Sequence, residues 1–179
     1  MKLSQIGPYR WLATAYTEFF RGVPAIIVLL AFGLLPVAFP GLRFPLDPYG
    51  TVWAALGMVS GAYMAETIRA GIQAVPKGQV EAARSLGMSH TRTMVTIVIP
   101  QAFRIVLPPI SNETINLVKD TSLIYILAMN DLLRVARTIV QREFDMTPFL
   151  IAGVFYLAMT FVLTWMFKKL EAYYGKYDK

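Results

Sequence analysis

The sequence predicts an all-α fold: a polytopic bundle of helices integral to a membrane. Three observations predict it. Hydrophobic residues make up 56% of the 179 positions and gather into long runs, more than a soluble domain carries uninterrupted. Several of these runs approach the ~20 residues needed to cross ~30 Å of hydrocarbon. The seventeen Lys and Arg fall mostly between the runs, as membrane topology requires. The formal charge of +6 invites a nucleic-acid reading, but the basic residues form no stripe and no aromatic-interleaved patch, so no nucleic-acid partner is expected.

The elements follow in order. Residues 1–21 mix Lys2, Arg10 and Arg21 with Trp11, Tyr16, Phe19 and Phe20. Trp11, Ala15, Glu18 and Gly22 recur at helical intervals, and the aromatics suit an interfacial helix lying along the headgroups. Met1 to Arg10 lacks an apolar h-region, so no cleavable signal peptide is read there. Residues 22–41 are uncharged and form a first span. Pro24 sits early, where a missing N–H costs little, while Pro36 and Pro40 loosen the far end. Residues 41–50 read as a loop. A second span, 50–71, is rich in small residues (Ala54, Ala55, Gly57, Gly61, Ala62, Ala65) that let helices approach closely in lipid. It carries Glu66 and Arg69 near its inner end.

A charged loop over 73–93 holds the only histidine, His90. The third span, 94–118, contains Pro100, Arg104, Pro108, Pro109, Asn112 and Glu113. It is expected to be irregular, because prolines remove backbone bonds and polar groups at membrane depth need protein or water around them. A polar turn, Lys119 to Ser122, leads to a short or re-entrant helix over 123–129. Residues 130–145 are amphipathic, with Leu132, Leu133, Val135, Ala136, Ile139 and Val140 opposed to charged residues, and read as a surface or docked helix. A last span covers 146–167, before a tail with four lysines. Four crossings result, with the N-terminus, the 73–93 loop and the C-terminus all cytoplasmic by the positive-inside rule.

Enzyme chemistry finds little support. There is no cysteine, so thiolate catalysis and cysteine-ligated metal are excluded. His90 has no companions for a metal site, and it reads as a solvated loop residue. Neither G-x-x-x-x-G-K-S/T nor G-x-S-x-G occurs, so energy must come from a partner chain. No cofactor is expected. The polar residues of the middle spans are the strongest functional sign, since ionisable groups at membrane depth line pathways or pair with one another. Glu66 and Arg69 fit either role, because three residues apart on a helix they can form an ion pair. Asn112, Asn116, Lys119, Asp120, Thr121 and Ser122 follow a proline-broken helix, the pattern of midplane binding sites. Such a site offers a zwitterionic solute both a cation and carboxylates.

Between the second and third spans lies Glu81–Ala82–Ala83–Arg84–Ser85–Leu86–Gly87, followed after nine residues by Ile97–Val98–Ile99–Pro100. It reads as a brief helix from Glu81 to about Leu86, ended by Gly87. Too polar for lipid and too short to stand alone, it must dock on something. Its spacing resembles the EAA-x3-G-x9-I-x-L-P loop of ABC importer permeases, with Ile99 in place of Leu. Further segments resemble the polar amino acid branch of that family. Glu18 to Pro24 resembles E-F-x-R-G-T-P, with Val23 for Thr. Gly61 to Ile72 resembles G-A-Y-x-A-E-x-x-R-x-G-I, and Val75 to Gln79 resembles V-x-x-G-Q. Ile97 to Pro109 is similar to L-P-Q-A-x-R-x-x-L-P-P, and Asn112 to Leu123 to N-x-x-I-x-L-x-K-x-T-S-L.

The resemblance implies a type I ABC importer permease fold in a bacterial cytoplasmic membrane. It implies ABC ATPase subunits as partners, a second permease subunit, identical or different, and an extracytoplasmic solute-binding protein that delivers an amino acid. Glu81, Ala82, Ala83, Leu86 and Gly87 would couple to the ATPase. The substrate path would draw on Glu66, Arg69, Asn112, Asn116, Lys119, Asp120, Thr121 and Ser122. Members of the family usually begin with a further membrane helix, and its loss would leave the four crossings counted here. The alternatives are a stand-alone ion channel or ion-coupled carrier, and a shortened, transport-inactive permease.

Overall fold

The computed structural model describes residues 7–39, 41 and 47–175. The readings that fall on Lys2 and its neighbours, on Pro40, on residues 42–46 of the 41–50 loop and on the last two lysines lie outside the described residues. Among the described residues eight α-helices, joined by short turns, make up most of the chain.

Helix α1 (Gly7–Gly22) and α2 (Ala25–Ala38) meet at an angle of 102°, with the break at Val23 and Pro24. Pro24 has no N–H, and its extended ψ of 136° prevents α1 from running on. Helix α2 is therefore shorter than the uncharged run 22–41: it has 14 residues, about 21 Å. Trp11 and Phe19 of α1 are exposed, while Tyr16 donates to Met58 O at 2.7 Å and ties α1 to the next helix.

Helix α3 (Pro48–Ala74) starts where Asp47 accepts from Gly50 N at 2.8 Å and Pro48 takes the first turn. Its 27 residues span about 40 Å. Val52, Ala55, Leu56, Val59 and Ala62 recur at helical spacing and are buried. With Val28, Leu29 and Met129, the first four form the main core. Helix α3 is the hub, packing on α1, α2 and α6. Gly71 makes the closest approach: a Cβ there would lie 2.1 Å from Val106 Cγ1.

Helix α4 (Lys77–Ser85) follows a turn at Val75–Pro76. From His90 to Leu127 the chain is continuously helical but changes pitch. Helix α5 (His90–Thr93) is capped by Ser89, whose Oγ accepts from Arg92 N at 3.4 Å. A π-helical stretch (Met94–Val98) comes next, then α6 (Ile99–Asp120) with Pro108 and Pro109 inside it, and a 3₁₀ stretch (Thr121–Leu127). The wider π turn sits just before Pro100, where the ladder must absorb a missing donor. The third span is thus irregular, and it begins at His90, earlier than expected. The 123–129 segment is no separate re-entrant helix: it continues α6 and ends at Ala128, whose φ is 57°.

Helix α7 (Leu132–Glu143) is capped by Asp131, which accepts from Leu133 N at 3.2 Å and Arg134 N at 2.8 Å. It packs on the 3₁₀ stretch and on α8 (Thr147–Tyr174). Ala136 is buried and Arg137 stacks over Tyr125 at 5.3 Å, but Leu132, Val135 and Ile139 of the apolar face stay exposed. Thr147 donates its N–H (2.9 Å) and its hydroxyl (2.7 Å) to Asp145 Oδ1 at the start of α8, holding that carboxyl below the usual carboxylate range.

Among the described residues, two helical stretches are long and apolar enough to cross a membrane, His90–Leu127 and Thr147–Tyr174; the bent α1–α2 pair is a third if counted as one span. Helix α3 has the length but not the apolarity. Its glycines, Ser60, Glu66 and Arg69 dilute it, and its central place in the bundle relieves it of facing lipid on all sides.

Candidate functional site

Two features of the described residues are candidate sites. The first is a cleft of about 680 Å³, a size that suits a small solute. One wall is the α1–α2 elbow, Arg21 to Ala25; the second is α3 through Val59 and Tyr63; the third is α6 through Glu113, Asn116, Lys119 and Asp120. Glu113, Asn116 and Asp120 share a helix face at spacings of three and four. The cleft therefore holds two cations, two carboxylates and an amide.

Of the expected path residues, Asn116, Lys119 and Asp120 line this cleft. Asn112 is exposed on α6, one turn before Asn116, outside the lining. Thr121 and Ser122 turn their hydroxyls back onto their own helix, donating to Val118 O (2.6 Å) and Lys119 O (2.7 Å). That satisfies donors at the point where α6 tightens into 3₁₀. Glu66 and Arg69 form the i,i+3 pair: Arg69 Nε donates to Glu66 Oε1 at 3.0 Å, Nη2 donates to the same oxygen, and Nη1 donates to Gln73 Oε1. Arg21 Nη1 reaches that same Oε1 at 3.9 Å. Glu66 thus joins the elbow to α3 and sits beside the cleft instead of lining it. Arg104 lies elsewhere, in a small recess with Glu171 and Tyr174.

Sequence reasoning left Arg21 and Tyr63 unassigned and named Glu113 only as a polar group. Arg21 sits 5.6 Å from the Tyr63 ring centroid, and Tyr63 donates to Arg21 O at 3.4 Å. The 102° elbow brings them to α6, and only the E-F-x-R-G-V-P join hinted at it.

The second feature is α4. It begins at Lys77, four residues before the expected Glu81, because Pro76 supplies a preset φ of −55° and helical bonds start at once. It ends as expected. Gly87 has φ +76°, its N–H donates to Arg84 O (2.9 Å), and Met88 N donates to Ala83 O (3.1 Å). This is the paired-bond glycine terminus that a Cβ would strain. Ala83 is buried, and Val80 packs on Val75, Val98 and Ala102 at the base of α6. Glu81, Ala82, Leu86 and Gly87 face outward, with Leu86 83% exposed. Among the described residues no group of His, Asp and Glu is placed to hold a metal ion.

Residues 3–174 match the family "Binding-protein-dependent transport system inner membrane component". The chain is 40% identical to the probable glutamine ABC transporter permease protein GlnM of Bacillus subtilis, over 97% of this chain and 82% of that one. It is 39% identical to the glutamate/aspartate import permease protein GltK of Escherichia coli (89% and 74%). A solved amino acid ABC transporter with histidines superposes with a TM-score of 0.85 at 38% identity, covering 96% of this chain and 79% of that one. The inward-facing MetNI methionine ABC transporter, 15% identical with a TM-score of 0.77, shares the fold over 96% of this chain and 78% of its own. By this match and these relatives, the chain belongs to the binding-protein-dependent transport system inner membrane components, as a transport subunit of the amino acid ABC permease kind and not an enzyme.

Proposed function

We propose that the chain carries a polar amino acid through the cleft between the elbow, α3 and α6, and that α4 couples this movement to an ATPase subunit. The observation that carries the reading is the two-sidedness of α4. Its inner face buries Ala83 and packs Val80 on Val98 and Ala102 at the base of the cleft-lining helix, and its outer face presents Leu86, which is 83% exposed. Burying a leucine in a partner's groove contributes about 1.5–3 kcal/mol, and a push on α4 passes directly to α5, the π turn and α6. The π turn and Pro108–Pro109 are the points where that long helix yields.

On this reading the substrate path is Asn116, Lys119 and Asp120 with Asn112 at its rim, Glu66 and Arg69 hold its inner edge, and Thr121 and Ser122 shape its end. The working complex contains ATPase subunits, a second permease subunit, identical or different, and an extracytoplasmic binding protein. The chain crosses four times, through α2, α3, the His90–Leu127 helix and α8, with both ends and α4 on the cytoplasmic side and α7 on the outer side. Gly87→Trp forces a large side chain into left-handed backbone at the docking surface. In proteoliposomes with the ATPase and binding protein, it should abolish uptake while insertion stays normal. Uptake at the wild-type rate would rule out docking through α4.

A further inference from the structure

A recess of about 150 Å³ opens where the base of α6 meets the end of α8. It holds the volume of roughly five waters, and it lies about 13 Å along α6 from Glu113 of the polar cleft. Arg104, Leu107 and Pro108 line it from α6, and Glu171, Tyr174 and Gly175 line it from the end of α8. The Phe103 and Tyr174 rings meet edge to face at 5.2 Å and hold the two helices together there. Arg104 and Glu171 are both half-buried, so a guanidinium and a carboxylate border one small space.

The sequence of α8 sets the depth of this recess. Residues 147–167 carry no charge and rise about 30 Å, the thickness of the hydrocarbon. Charge begins at Lys168, and Glu171 lies one turn past Phe167, at the level of the headgroups. Lys169 rests over the Trp165 ring at 3.7 Å, the pairing of an interfacial aromatic with a snorkelling lysine. Phe103 and Leu170 stay exposed at this end, apolar surface for the start of an acyl chain. A planar guanidinium grips phosphate oxygens as a fork. An ammonium brings three donors, which a carboxylate accepts. We propose that the recess binds a phospholipid with a primary-ammonium headgroup, its phosphate on Arg104 and its ammonium on Glu171. Glu171 makes the site selective, because phosphatidylcholine has no N–H to donate and phosphatidylglycerol brings no cation. Lys168 and Lys169 attract anionic lipid without telling headgroups apart. The leaflet, cytoplasmic, rests on the proposed topology; the headgroup preference does not.

The test uses the permease purified with its ATPase subunits. The complex is reconstituted with equal parts of phosphatidylethanolamine, phosphatidylcholine and phosphatidylglycerol, then re-extracted, and the retained lipids are counted by native mass spectrometry. The wild type should keep phosphatidylethanolamine over phosphatidylcholine by a factor on the order of 10. Glu171→Gln, of the same shape, should bring that ratio close to one, and Arg104→Gln should lower retention of all three lipids. If Arg104→Gln does not assemble, Arg104→Lys, which keeps the charge and loses the fork, should lower it instead. Equal retention of the two lipids by the wild type would overturn the proposal, as would a preference that survives Glu171→Gln. Retention unchanged by every Arg104 variant that assembles would overturn it too. Thiol labelling of Ser85→Cys tests the topology separately: labelling from outside would move the site to the other leaflet and leave the preference standing.

Discussion

At Gly71 a single missing methyl sets how closely α3 and α6 approach. A Cβ there would meet Val106 Cγ1 at 2.1 Å and the Ala102 carbonyl oxygen at 3.4 Å. Valine is branched at Cβ and cannot swing aside cheaply. Gly71→Ala gains up to ~1 kcal/mol of helix propensity but overpacks a helix contact, which typically costs about 1–3 kcal/mol. The expected result is a net loss of stability, read as a lower midpoint in detergent unfolding. Val106→Ala opens room for the new methyl, so the double variant should beat the sum of the two single losses by ~1 kcal/mol or more. Strict additivity would mean the helices are not in contact at this point. The same scale explains why small residues in the second span were informative only as a group: Ala55, Ala62 and Gly71 are buried, while Gly57 has nothing within 4 Å.

Among the elements, caps and prolines could be read in advance, whereas pitch could not. Gly87 ends α4, and Ser89 and Asp131 start α5 and α7, each through side-chain or glycine chemistry that local sequence encodes. Asp131→Ala frees two backbone donors at the head of α7 and should cost ~1 kcal/mol. Asp131→Asn should restore most of it, as seen by melting temperature; an Asp131→Ala variant with wild-type stability would show that α7 is held by packing alone. The span over 94–118 was expected to be irregular and proline-broken, with a separate short or re-entrant helix over 123–129; the structure runs helical from His90 to Leu127. This stretch remains one helix because the ladder adjusts, widening to π before Pro100 and tightening to 3₁₀ after Asp120, so the backbone bonds are largely kept. Such pitch changes depend on neighbours as much as on the prolines themselves.

For the whole molecule, the decisive question is which side of the membrane each end occupies. The chain has no cysteine, so single introduced cysteines report topology cleanly. Ser85→Cys on α4 and Gly175→Cys beyond α8 should label only from the cytoplasmic side. Tyr49→Cys at the head of α3 and Gln141→Cys on α7 should label only from outside. Labelling of Gln141→Cys from the cytoplasm, with Ser85→Cys and Gly175→Cys also labelling there, would leave no net crossing by α6 or by α8 and overturn the four-span arrangement. The exposed faces fit an incomplete assembly: α8 buries Ala152 alone, while Phe149, Leu150, Phe155, Phe161 and Trp165 of the same helix stay exposed. In a membrane those faces meet lipid or another subunit.

The sequence by itself determined the fold class, the Gly87 terminus of α4 and the three-residue spacing that lets Glu66 and Arg69 pair. All of these are local, written in composition, in spacing along one helix or in the backbone preference of one residue. The tertiary structure alone decided which polar groups meet. It turned Thr121 and Ser122 onto their own helix, drew Glu66 into a pair shared with the elbow, and brought Arg21, forty-five residues earlier, to its side. A side chain's partners across the bundle depend on how helices are packed and where they bend. The 102° turn at Pro24 is visible in the sequence only as a proline, and its direction comes from α1 being held against α3.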